Sequence, residues 1–513
     1  MDEASVDEAA VYAWPQSAAP GDTVGVHASG PAGSAEVELA RVGAERQVVW
    51  RSTIELEPHD LPQDVVARGC GWPAVAQIEI DPSWRSGYYE LVVRPGSARS
   101  SADSADMKEA VGFVVVRPAP GPSARPLLVL STNTWTAYND VGGSNLYTTF
   151  GRDVAATHVS YQRPMAPGFL RRPETAGQRA TVLDPPDPNM TAHVEYMFEH
   201  LLSEWTGSAG WAGWELHFVR WAEAARYELD YAANNDLATV PGLLDGRPLY
   251  LSVGHDEYWT WGMRDAVESF VADGGNAVFL SGNTSCWQVR VEDDGATMVA
   301  YKEQLADDPV LGTDDQHLLT SLWSDHLIGR PENRMTGVSF SRGGYHRIGR
   351  NVGSGAGGYT LHRPGHWVFE GTEVAYGDVI GAAGVAVGYE CDGCEMELRD
   401  GLPYPTGADG TPEDFQILAT APARPIDRDT AMRPLPEDGP SEGEFIAWRV
   451  LGSHDAETVA RLRHGAAVMG VHQPGGTVFT SGCTEWVWGL VADDPVIDRI
   501  TRNLLDRLGA ADD

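Results

Sequence analysis

Leu249–Trp259 reads LYLSVGHDEYW, an apolar strand that runs directly into a cluster of polar and aromatic side chains. Three other stretches have the same form: Leu127–Asn139 (LLVLSTNTWTAYN), Ala277–Trp287 (AVFLSGNTSCW) and Thr477–Trp486 (TVFTSGCTEW). In an open parallel α/β sheet, the carboxyl ends of the strands lie along one edge, and ligands bind in the crevice there. The four stretches therefore predict a single site at one edge of one sheet.

Residues 1–118 differ from the rest of the chain. Short stretches there, such as Ala35–Arg41 (AEVELAR), alternate polar and apolar residues between turn signals, which predicts a β-sandwich domain. The Pro-rich connector Pro118–Pro126 marks the boundary. Residues 119–513 alternate strand and helix signals, which predicts an α/β domain with a parallel sheet. A Gly-rich, strand-like stretch at about residues 318–382 predicts a β-rich insertion.

Four stretches in the second domain have helical patterns. They are Val194–Trp205, Trp214–Arg226, Arg264–Ala272 and Val496–Leu508. Strands and helices in alternation are typical of a sheet covered by helices.

The chain is strongly acidic, with 73 Asp and Glu against 37 Lys and Arg and a formal net charge of −36. Such a surface repels phosphate backbones, so we expect no nucleic-acid partner. No segment approaches the ~18 unbroken apolar residues of a membrane helix, so we expect no membrane span. The acidic start Met1–Ala10 is unlike a signal peptide, and the odd number of cysteines suits a reducing compartment. We therefore expect a cytoplasmic location.

Gly254–Trp259 (GHDEYW) is the richest motif in chemistry. His255 and Glu257 are two residues apart, so in an extended chain they point to the same side while Asp256 points away. Glu257 is a candidate hard metal ligand or base, and His255 a candidate ligand, orienting group or proton carrier. The alternative is that Asp256 or Glu257 caps the following helix.

Two tyrosines, Tyr138 and Tyr147, lie in the segment Thr132–Tyr147 (TNTWTAYNDVGGSNLY). A tyrosine usually packs in a core with its hydroxyl satisfied. It becomes a phenolate ligand only where a strongly Lewis-acidic cation offsets its pKa of about 10. Two phenolates and a carboxylate are hard donors whose charge favours ferric iron. On these residues alone, packing and metal binding both stay open.

Two further segments carry candidate catalytic groups. Asn283 follows a strand, where its amide either orients a substrate carbonyl or carboxylate or closes an Asx-turn. Glu390 follows an apolar run and is either a general base or a surface carboxylate. Glu485, in SGCTEW, is a candidate supporting or capping group at the same edge.

The cysteines argue against thiol chemistry. Cys286 lacks the Gly-x-Cys-x-Gly elbow of an amidotransferase nucleophile. Cys391 and Cys394 form a single C-x-x-C pair, which supplies too few ligands for a zinc ribbon.

Together these motifs resemble the large (β) subunit family of N,N-dimethylformamidase. The resemblance extends over roughly residues 127–513 and rests on the runs STNTWTAYN, GSNLY, GHDEYW, SGN, GYECD and TVFTSGCTEW. It implies an immunoglobulin-like β domain followed by a glutamine-amidotransferase-like, Rossmann-like α/β domain. It also implies hydrolysis of an amide by one iron that two tyrosines and a glutamate hold.

Carried over by position, the resemblance implies Tyr138, Tyr147 and Glu257 as ligands of one Fe(III) per chain. Tyr161 is the substitute for Tyr147, since the loop between the two tyrosines is shorter here. The resemblance also implies His255 beside the ligands, Asn283 as a polar pocket residue, Glu390 as the acid/base and Lys302 as a pocket lysine. The predicted substrate-binding set is Asn133, Trp135, Trp259, Lys302 and Trp287.

We therefore expect a mononuclear iron amidohydrolase that cleaves a small, formamide-like N-substituted amide to a carboxylic acid and an amine. Iron acts as a Lewis acid and Glu390 activates water. Tryptophans near the site either line an apolar pocket or belong to the core: Trp135, Trp259, Trp287 and Trp486. The alternatives are a zinc hydrolase with His255 and Glu257 as direct ligands, and a non-catalytic sugar- or protein-binding module. We expect a homo-oligomer, with a small accessory subunit left open.

Overall fold

The structure, a computed structural model, describes residues 8–96, 109–119, 121–148, 154–173, 191–347, 355–426 and 440–510. Within them the chain is a multi-domain mixed α/β protein with several sheets. Residues 1–7 of the acidic start and residues 348–354 of the predicted insertion lie outside the described residues.

The strands before residue 118 form two small sheets that share one core. Their bounds are β1 (Ala10–Trp14), β2 (Ser17–Ala18), β3 (Thr23–Ser29), β4 (Gly33–Val42), β5 (Arg46–Leu56), β6 (Ala74–Glu79), β7 (Gly87–Pro95) and β8 (Ala110–Val116). The short helix α1 (Val65–Arg68) lies between β5 and β6. One sheet has the order β1-β3-β6 and the other β2-β8-β7-β4-β5. Val26, Leu39 and Leu91 are buried together between them, so the alternating pattern of the sequence corresponds to two facing layers.

The strands after residue 126 build the second part of the chain. Their bounds are β9 (Leu127–Leu130), β10 (His158–Ser160), β11 (Asp230–Ala233), β12 (Leu249–His255), β13 (Tyr258–Thr260), β14 (Asn276–Gly282), β15 (Trp287–Glu292), β16 (Thr297–Val299), β17 (Ser339–Tyr345), β18 (Tyr359–Leu361), β19 (Val379–Ile380), β20 (Glu390–Gly393), β21 (Met396–Arg399), β22 (Leu402–Pro405), β23 (Gln416–Ala423), β24 (Gly465–His472) and β25 (Val478–Thr480).

The central nine-stranded sheet has the order β11-β9-β12-β14-β25-β24-β23-β18-β19. The strands from β11 to β25 in this order run parallel, whereas the pairs from β25 to β19 are antiparallel. The prediction of a parallel sheet is therefore wrong for this second half. Only residues 473–477 connect β24 to β25, and a parallel neighbour needs a much longer crossover.

The predicted insertion at residues 318–382 contains strands that pair with other parts of the chain. Its strands β18 and β19 extend the edge of the central sheet, and β17 pairs with β20. The Gly-rich, strand-like pattern does correspond to strands. Their partners are distant in sequence, and a local pattern does not indicate which strands pair.

Helices cover the sheet. Their bounds are α2 (Thr132–Tyr138), α3 (Thr191–Glu199), α4 (Glu215–Ala224), α5 (Asp236–Thr239), α6 (Trp261–Ala272), α7 (Asn333–Thr336), α8 (Glu442–Leu451), α9 (Ala456–Ala460), α10 (Trp486–Val491) and α11 (Pro495–Leu508). The predicted helix 194–205 ends early because Leu201 has a left-handed φ of 52°. α6 begins at Trp261 because the Thr260 side chain accepts the N–H of Met263.

The two parts of the chain pack directly on each other. Tyr88 of β7 stacks on Trp211 with ring centroids 4.0 Å apart, and both belong to the large core around the central sheet. Within the described residues, no helix combines the length and the apolar character needed to cross a membrane.

Candidate active site

Three predicted residues lie at one edge of the central sheet, two of them at strand ends. β12 pairs in parallel with both β9 and β14, so the carboxyl ends of these strands adjoin. His255 is the last residue of β12, and Asn283 follows β14 directly. Tyr138 reaches the same edge at the end of the helix α2, and not from the strand end as the sequence suggested, because the chain turns into a helix after β9.

The hydroxyl groups of Tyr138 and Tyr147 and the carboxylate of Glu257 form a continuous chain. The Tyr138 hydroxyl donates to the Tyr147 oxygen at 2.8 Å, and the Tyr147 hydroxyl donates to Glu257 Oε1 at 2.7 Å. The two phenol rings stack with centroids 4.5 Å apart. Tyr161 is directed elsewhere, since its hydroxyl donates to Asn133 at 2.8 Å. Of the two alternatives for the second tyrosine, Tyr147 is the one that contacts Glu257.

Asn145 folds the short loop that brings Tyr147 back to Tyr138. Its side-chain amide donates to the Tyr138 carbonyl at 2.8 Å, and its oxygen accepts the N–H of Tyr147 at 2.9 Å. Gly142 and Gly143 have φ of 90° and 85°, a region that favours glycine. The loop is therefore compact enough for two tyrosines nine residues apart to share a hydrogen bond.

Glu257 is almost completely buried. Its Oε1 also accepts the indole N–H of Trp287 at 2.9 Å, and its backbone N–H donates to the Thr134 hydroxyl at 2.9 Å. Its Oε2 makes no hydrogen bond with the described residues and lies 3.3 Å from His255 Nε2. Burial raises the pKa of the Glu257 carboxyl, and the neighbouring His255 opposes this shift.

His255 lies between two carboxylates. Its Nδ1 is 2.7 Å from the Ser208 carbonyl, which can only accept, so Nδ1 carries a proton. Its Nε2 is 2.8 Å from Glu390 Oε2 as well as 3.3 Å from Glu257 Oε2. Burial lowers the pKa of His255, but Glu390 and Glu257 together outweigh burial and raise the pKa to about 9.

Asp392, which the sequence did not single out for a role, fixes Asn283. Its Oδ1 accepts the N–H of Asn283 at 2.9 Å, and its Oδ2 accepts the N–H of Thr284 at 3.1 Å. The Asn283 amide in turn donates to Glu390 Oε2 at 3.3 Å. Glu390 and Asp392 are two apart in β20, which is the spacing that puts both carboxylates on one side of a strand.

Lys302 and Tyr258 complete the cluster. The Lys302 ammonium donates to the Tyr258 hydroxyl at 3.0 Å and to the Leu146 carbonyl at 3.3 Å. It lies 3.4 Å from the ring centroid of Tyr147 and 4.5 Å from that of Trp287. The sequence did not indicate a role for Tyr258, although it belongs to the GHDEYW motif, because its contacts are with Lys302 and Tyr147, 44 and 111 residues away.

Three residues of the predicted substrate-binding set contact the core rather than Glu257. Asn133 donates to the Tyr258 carbonyl at 3.1 Å and is buried. Trp135 packs against Phe113 and donates to Glu215 at 3.2 Å. Trp259 lies in a separate core cluster and donates to the Asp256 carbonyl at 3.1 Å. Of the predicted substrate-binding set, Trp287 contacts Glu257 and Lys302 contacts the ring of Tyr147.

The remaining candidates stay outside the cluster. Trp486 donates to Thr501 at 3.1 Å in the core, and Glu485 accepts the indole N–H of Trp214 at 3.2 Å. Burial raises the pKa of the Cys286 thiol well above its usual value, which opposes a nucleophilic thiolate. In the described part of the chain, no group of three or more His, Cys, Asp or Glu side chains could hold a metal ion. A metal at this edge would therefore need donors of another type as well, and the Tyr147 hydroxyl is the one that contacts Glu257.

The donor set of Tyr138, Tyr147 and Glu257 suits a hard cation. Burial raises the pKa of both phenols well above 10, so they would ionise only against a strongly Lewis-acidic ion. Glu257 Oε2 is buried, makes no hydrogen bond with the described residues and has His255 Nε2 as its ion-pair neighbour at 3.3 Å. These are the features that a trivalent ion would satisfy.

A family model described as "N,N-dimethylformamidase beta subunit-like, C-terminal" matches residues 36–498 of the chain. The chain is 21% identical over 460 residues to the N,N-dimethylformamidase beta subunit of Paracoccus aminophilus, covering 85% of this chain and 54% of that protein. It is 25% identical over 236 residues to the protein of the same name from an Alcaligenes species, covering 44% of this chain and 28% of that protein.

The matched parts thus span about half or less of these two relatives. The family match begins within β4, so it includes the strands β5 to β8 of the N-terminal sheets, which the motif resemblance left out. A chain from a solved structure on T-cell activation by the superantigen toxic shock syndrome toxin-1 aligns with 22% of this chain. Its sequence identity of 13% and TM-score of 0.15 carry no argument.

Proposed function

We propose, from the premise that this chain belongs to the N,N-dimethylformamidase beta subunit-like family, that it hydrolyses a small N-substituted amide with one ferric ion. The family predicted from the motifs is confirmed by the match over residues 36–498. The ion would be held by Tyr138, Tyr147 and Glu257. The observation that carries this proposal is the hydrogen-bonded chain of the buried Tyr138, the partly buried Tyr147 and the buried Glu257, whose Oε2 makes no hydrogen bond with the described residues.

Charge and ligand type support ferric iron over zinc. Two phenolates and one carboxylate are hard oxygen donors with a combined charge of three, which a trivalent ion neutralises. When bound, the ion would supply Lewis acidity to the amide carbonyl oxygen. Zinc favours imidazole and thiolate ligands, and His255 is occupied by the Ser208 carbonyl and by two carboxylates.

Glu390 is the residue we propose as general base. Its Oε2 is oriented by His255 at 2.8 Å and by the amide of Asn283 at 3.3 Å. A carboxylate held in this way can take a proton from the attacking water, whose oxygen bonds to the carbonyl carbon. It then returns the proton to the amine nitrogen as the C–N bond breaks. His255 and Asn283 act by keeping the Glu390 carboxylate in place.

Enclosure supports a small substrate. Glu257 and His255 are each 2% exposed and Glu390 is 5% exposed. Trp287 donates to Glu257, and the ring of Phe445 lies 6.1 Å from that of Trp287, so the cluster is bordered by aromatic surface. A formamide or another short alkyl amide suits an enclosed, partly apolar site.

We also propose an immunoglobulin-like N-terminal domain, an amidotransferase-like second domain and assembly into an oligomer or complex. The two facing N-terminal sheets support an immunoglobulin-like domain, and the parallel half of the central sheet supports an amidotransferase-like domain. The relatives are named as beta subunits, which supports an oligomer of this chain or a complex with an accessory subunit. The five buried thiols agree with the expected cytoplasmic location.

Purified protein tests the proposal directly. We expect about one iron per chain by elemental analysis, a visible phenolate-to-iron absorption band, and hydrolysis of at least one amide in a series from formamides to larger alkyl and aryl amides. Glu257→Ala should lose the iron, and Glu390→Gln should keep iron and colour but lose turnover. Amide hydrolysis by colourless, iron-free protein would refute the metal, and a coloured protein inactive on the whole series would refute the amidase.

A further inference from the structure

The oxygens of the two phenols have different surroundings. Tyr147 accepts a hydrogen bond from the Tyr258 hydroxyl at 2.6 Å. Among the described residues, the hydroxyl of Tyr138 forms a hydrogen bond with Tyr147 itself. The two proposed ligands are therefore not equivalent in their contacts with the protein.

Lys302 determines the direction of the hydrogen bond between Tyr258 and Tyr147. An ammonium group can only donate, so the Tyr258 oxygen accepts from Lys302 at 3.0 Å. Tyr258 has one proton to give, and its other recorded partner is the Tyr147 oxygen at 2.6 Å. The Lys302 ammonium therefore donates to the Tyr258 oxygen, and the Tyr258 hydroxyl donates to the Tyr147 oxygen. Tyr258 remains a donor whether or not Tyr147 keeps its own proton.

The surroundings of Lys302 indicate that the hydrogen bonds from Lys302 through Tyr258 to Tyr147 have a functional role. Lys302 is buried among the rings of Tyr147, Tyr258 and Trp287 and has a left-handed φ of 51°. A buried lysine and a strained backbone each destabilise a fold unless the surroundings hold them, and such strain is found most often at functional sites. A purely structural tyrosine needs no buried cation beside its hydroxyl.

We infer that Tyr258 is a positioning residue that donates a fixed hydrogen bond to the Tyr147 oxygen and makes the two proposed phenolate ligands inequivalent. The inference rests on the proposed function, because it concerns the same ligands. A phenolate that accepts a hydrogen bond holds its electrons more tightly, so it is the weaker donor and its charge-transfer transition to ferric iron lies at higher energy. Tyr138 would be the stronger donor of the pair.

Visible absorption of the iron-loaded full-length chain tests this role. In Tyr258→Phe, the hydroxyl is lost and the ring is kept. We expect the charge-transfer maximum to move to lower energy by roughly 500–1,000 cm⁻¹, the range of a hydrogen bond to a charged group. Tyr161→Phe is the matched control, because it removes a buried hydroxyl that contacts Asn133, and it should leave the maximum unchanged.

A second measurement needs no variant. Resonance Raman spectra of the wild-type protein in H2O and D2O should show two phenolate C–O stretching components, of which one shifts with the solvent isotope. If both components shift alike, or neither does, the inference is overturned. An unchanged maximum in iron-loaded Tyr258→Phe overturns it as well. In either case the proposed function stands, whereas wild-type protein without iron or a visible band refutes the function and the inference together.

Discussion

The carboxylate of Asp392 accepts the backbone N–H of Asn283 at 2.9 Å, across 109 residues of sequence. Asn283 has a left-handed φ of 54°, a conformation that non-glycine residues adopt at a cost of roughly 1–3 kcal/mol unless the surroundings hold it. The second oxygen of Asp392 holds the next residue, Thr284. The loop after β14 is therefore fixed by one buried carboxylate next to Glu390.

The first prediction concerns this loop. Asp392→Ala removes both acceptors, so the Asn283 amide should lose its position against Glu390, and kcat for amide hydrolysis should fall about 100-fold, as expected for a misplacement of about 1 Å. Asp392→Asn keeps one acceptor and should lose less. Iron content should be unchanged in both variants. Equal turnover of Asp392→Ala and wild-type protein would contradict this account of the loop.

The second prediction separates Tyr147 from Tyr161. Tyr147→Phe removes the hydroxyl that contacts both Tyr138 and Glu257, so iron per chain and the visible band should both be largely lost. Tyr161→Phe removes a hydroxyl bound to Asn133 and should keep both. Elemental analysis and absorption spectra of the two variants decide the matter. Loss of iron in Tyr161→Phe with retention in Tyr147→Phe would exchange their roles.

The third prediction concerns Trp287, whose indole N–H donates to the proposed iron ligand Glu257. Trp287→Phe keeps an aromatic ring but removes the indole N–H that donates to Glu257 Oε1. Partners of this kind typically contribute about 10–100-fold in metal affinity, so iron affinity should fall by that order in competition with a chelator. Trp486→Phe is the control, since it removes an indole N–H that donates a hydrogen bond to Thr501 in the core. Equal iron affinity in the two variants would refute the role of Trp287.

Part of the site could be predicted because strand alternation is a local property. The two-residue spacing separated Asp256, which bonds to Ser252 and Asn234, from His255 and Glu257, which approach each other. Parallel strands then bring distant strand ends to one edge. Strand alternation and the shared edge of parallel strands are enough to place His255 and Glu257, and the fold brings these two side chains together.

The errors have equally specific causes. By alternation, Trp259 should accompany Glu257, but Trp259 lies in the short strand β13, which pairs with β15, and its ring packs in a separate core cluster. Asn133 lies in the helix α2, five residues before Tyr138. With about 3.6 residues per turn, this spacing places the two side chains on different faces of the helix. The role of Asp392 depends on contact between β20 and the loop after β14, and pairing over such a separation leaves no local pattern in the sequence.

The fourth prediction uses the buried carboxyl of Glu215. Its Oε1 accepts the indole N–H of Trp135 at 3.2 Å, and its Oε2 has no hydrogen bond with the described residues. Burial raises the pKa of Glu215 from 4.5 to about 8. The folded state therefore binds the proton more tightly than the unfolded state. This contribution to stability is fully present below about pH 4.5 and is lost as the pH rises to about 8.

Glu215→Gln keeps the acceptor for Trp135 and removes the titration. Its free energy of unfolding, measured by denaturant titration at pH 5, 6.5 and 8, should rise relative to wild-type protein as the pH increases, by a few kcal/mol across the range. Glu55→Gln on β5 is the matched control, because Glu55 is exposed and its substitution should produce a difference that stays near zero at every pH. If the difference in free energy of unfolding between Glu215→Gln and wild-type protein is also independent of pH, Glu215 keeps an ordinary pKa in the fold. Water or a cation would then reach Glu215 Oε2, the oxygen without a hydrogen bond.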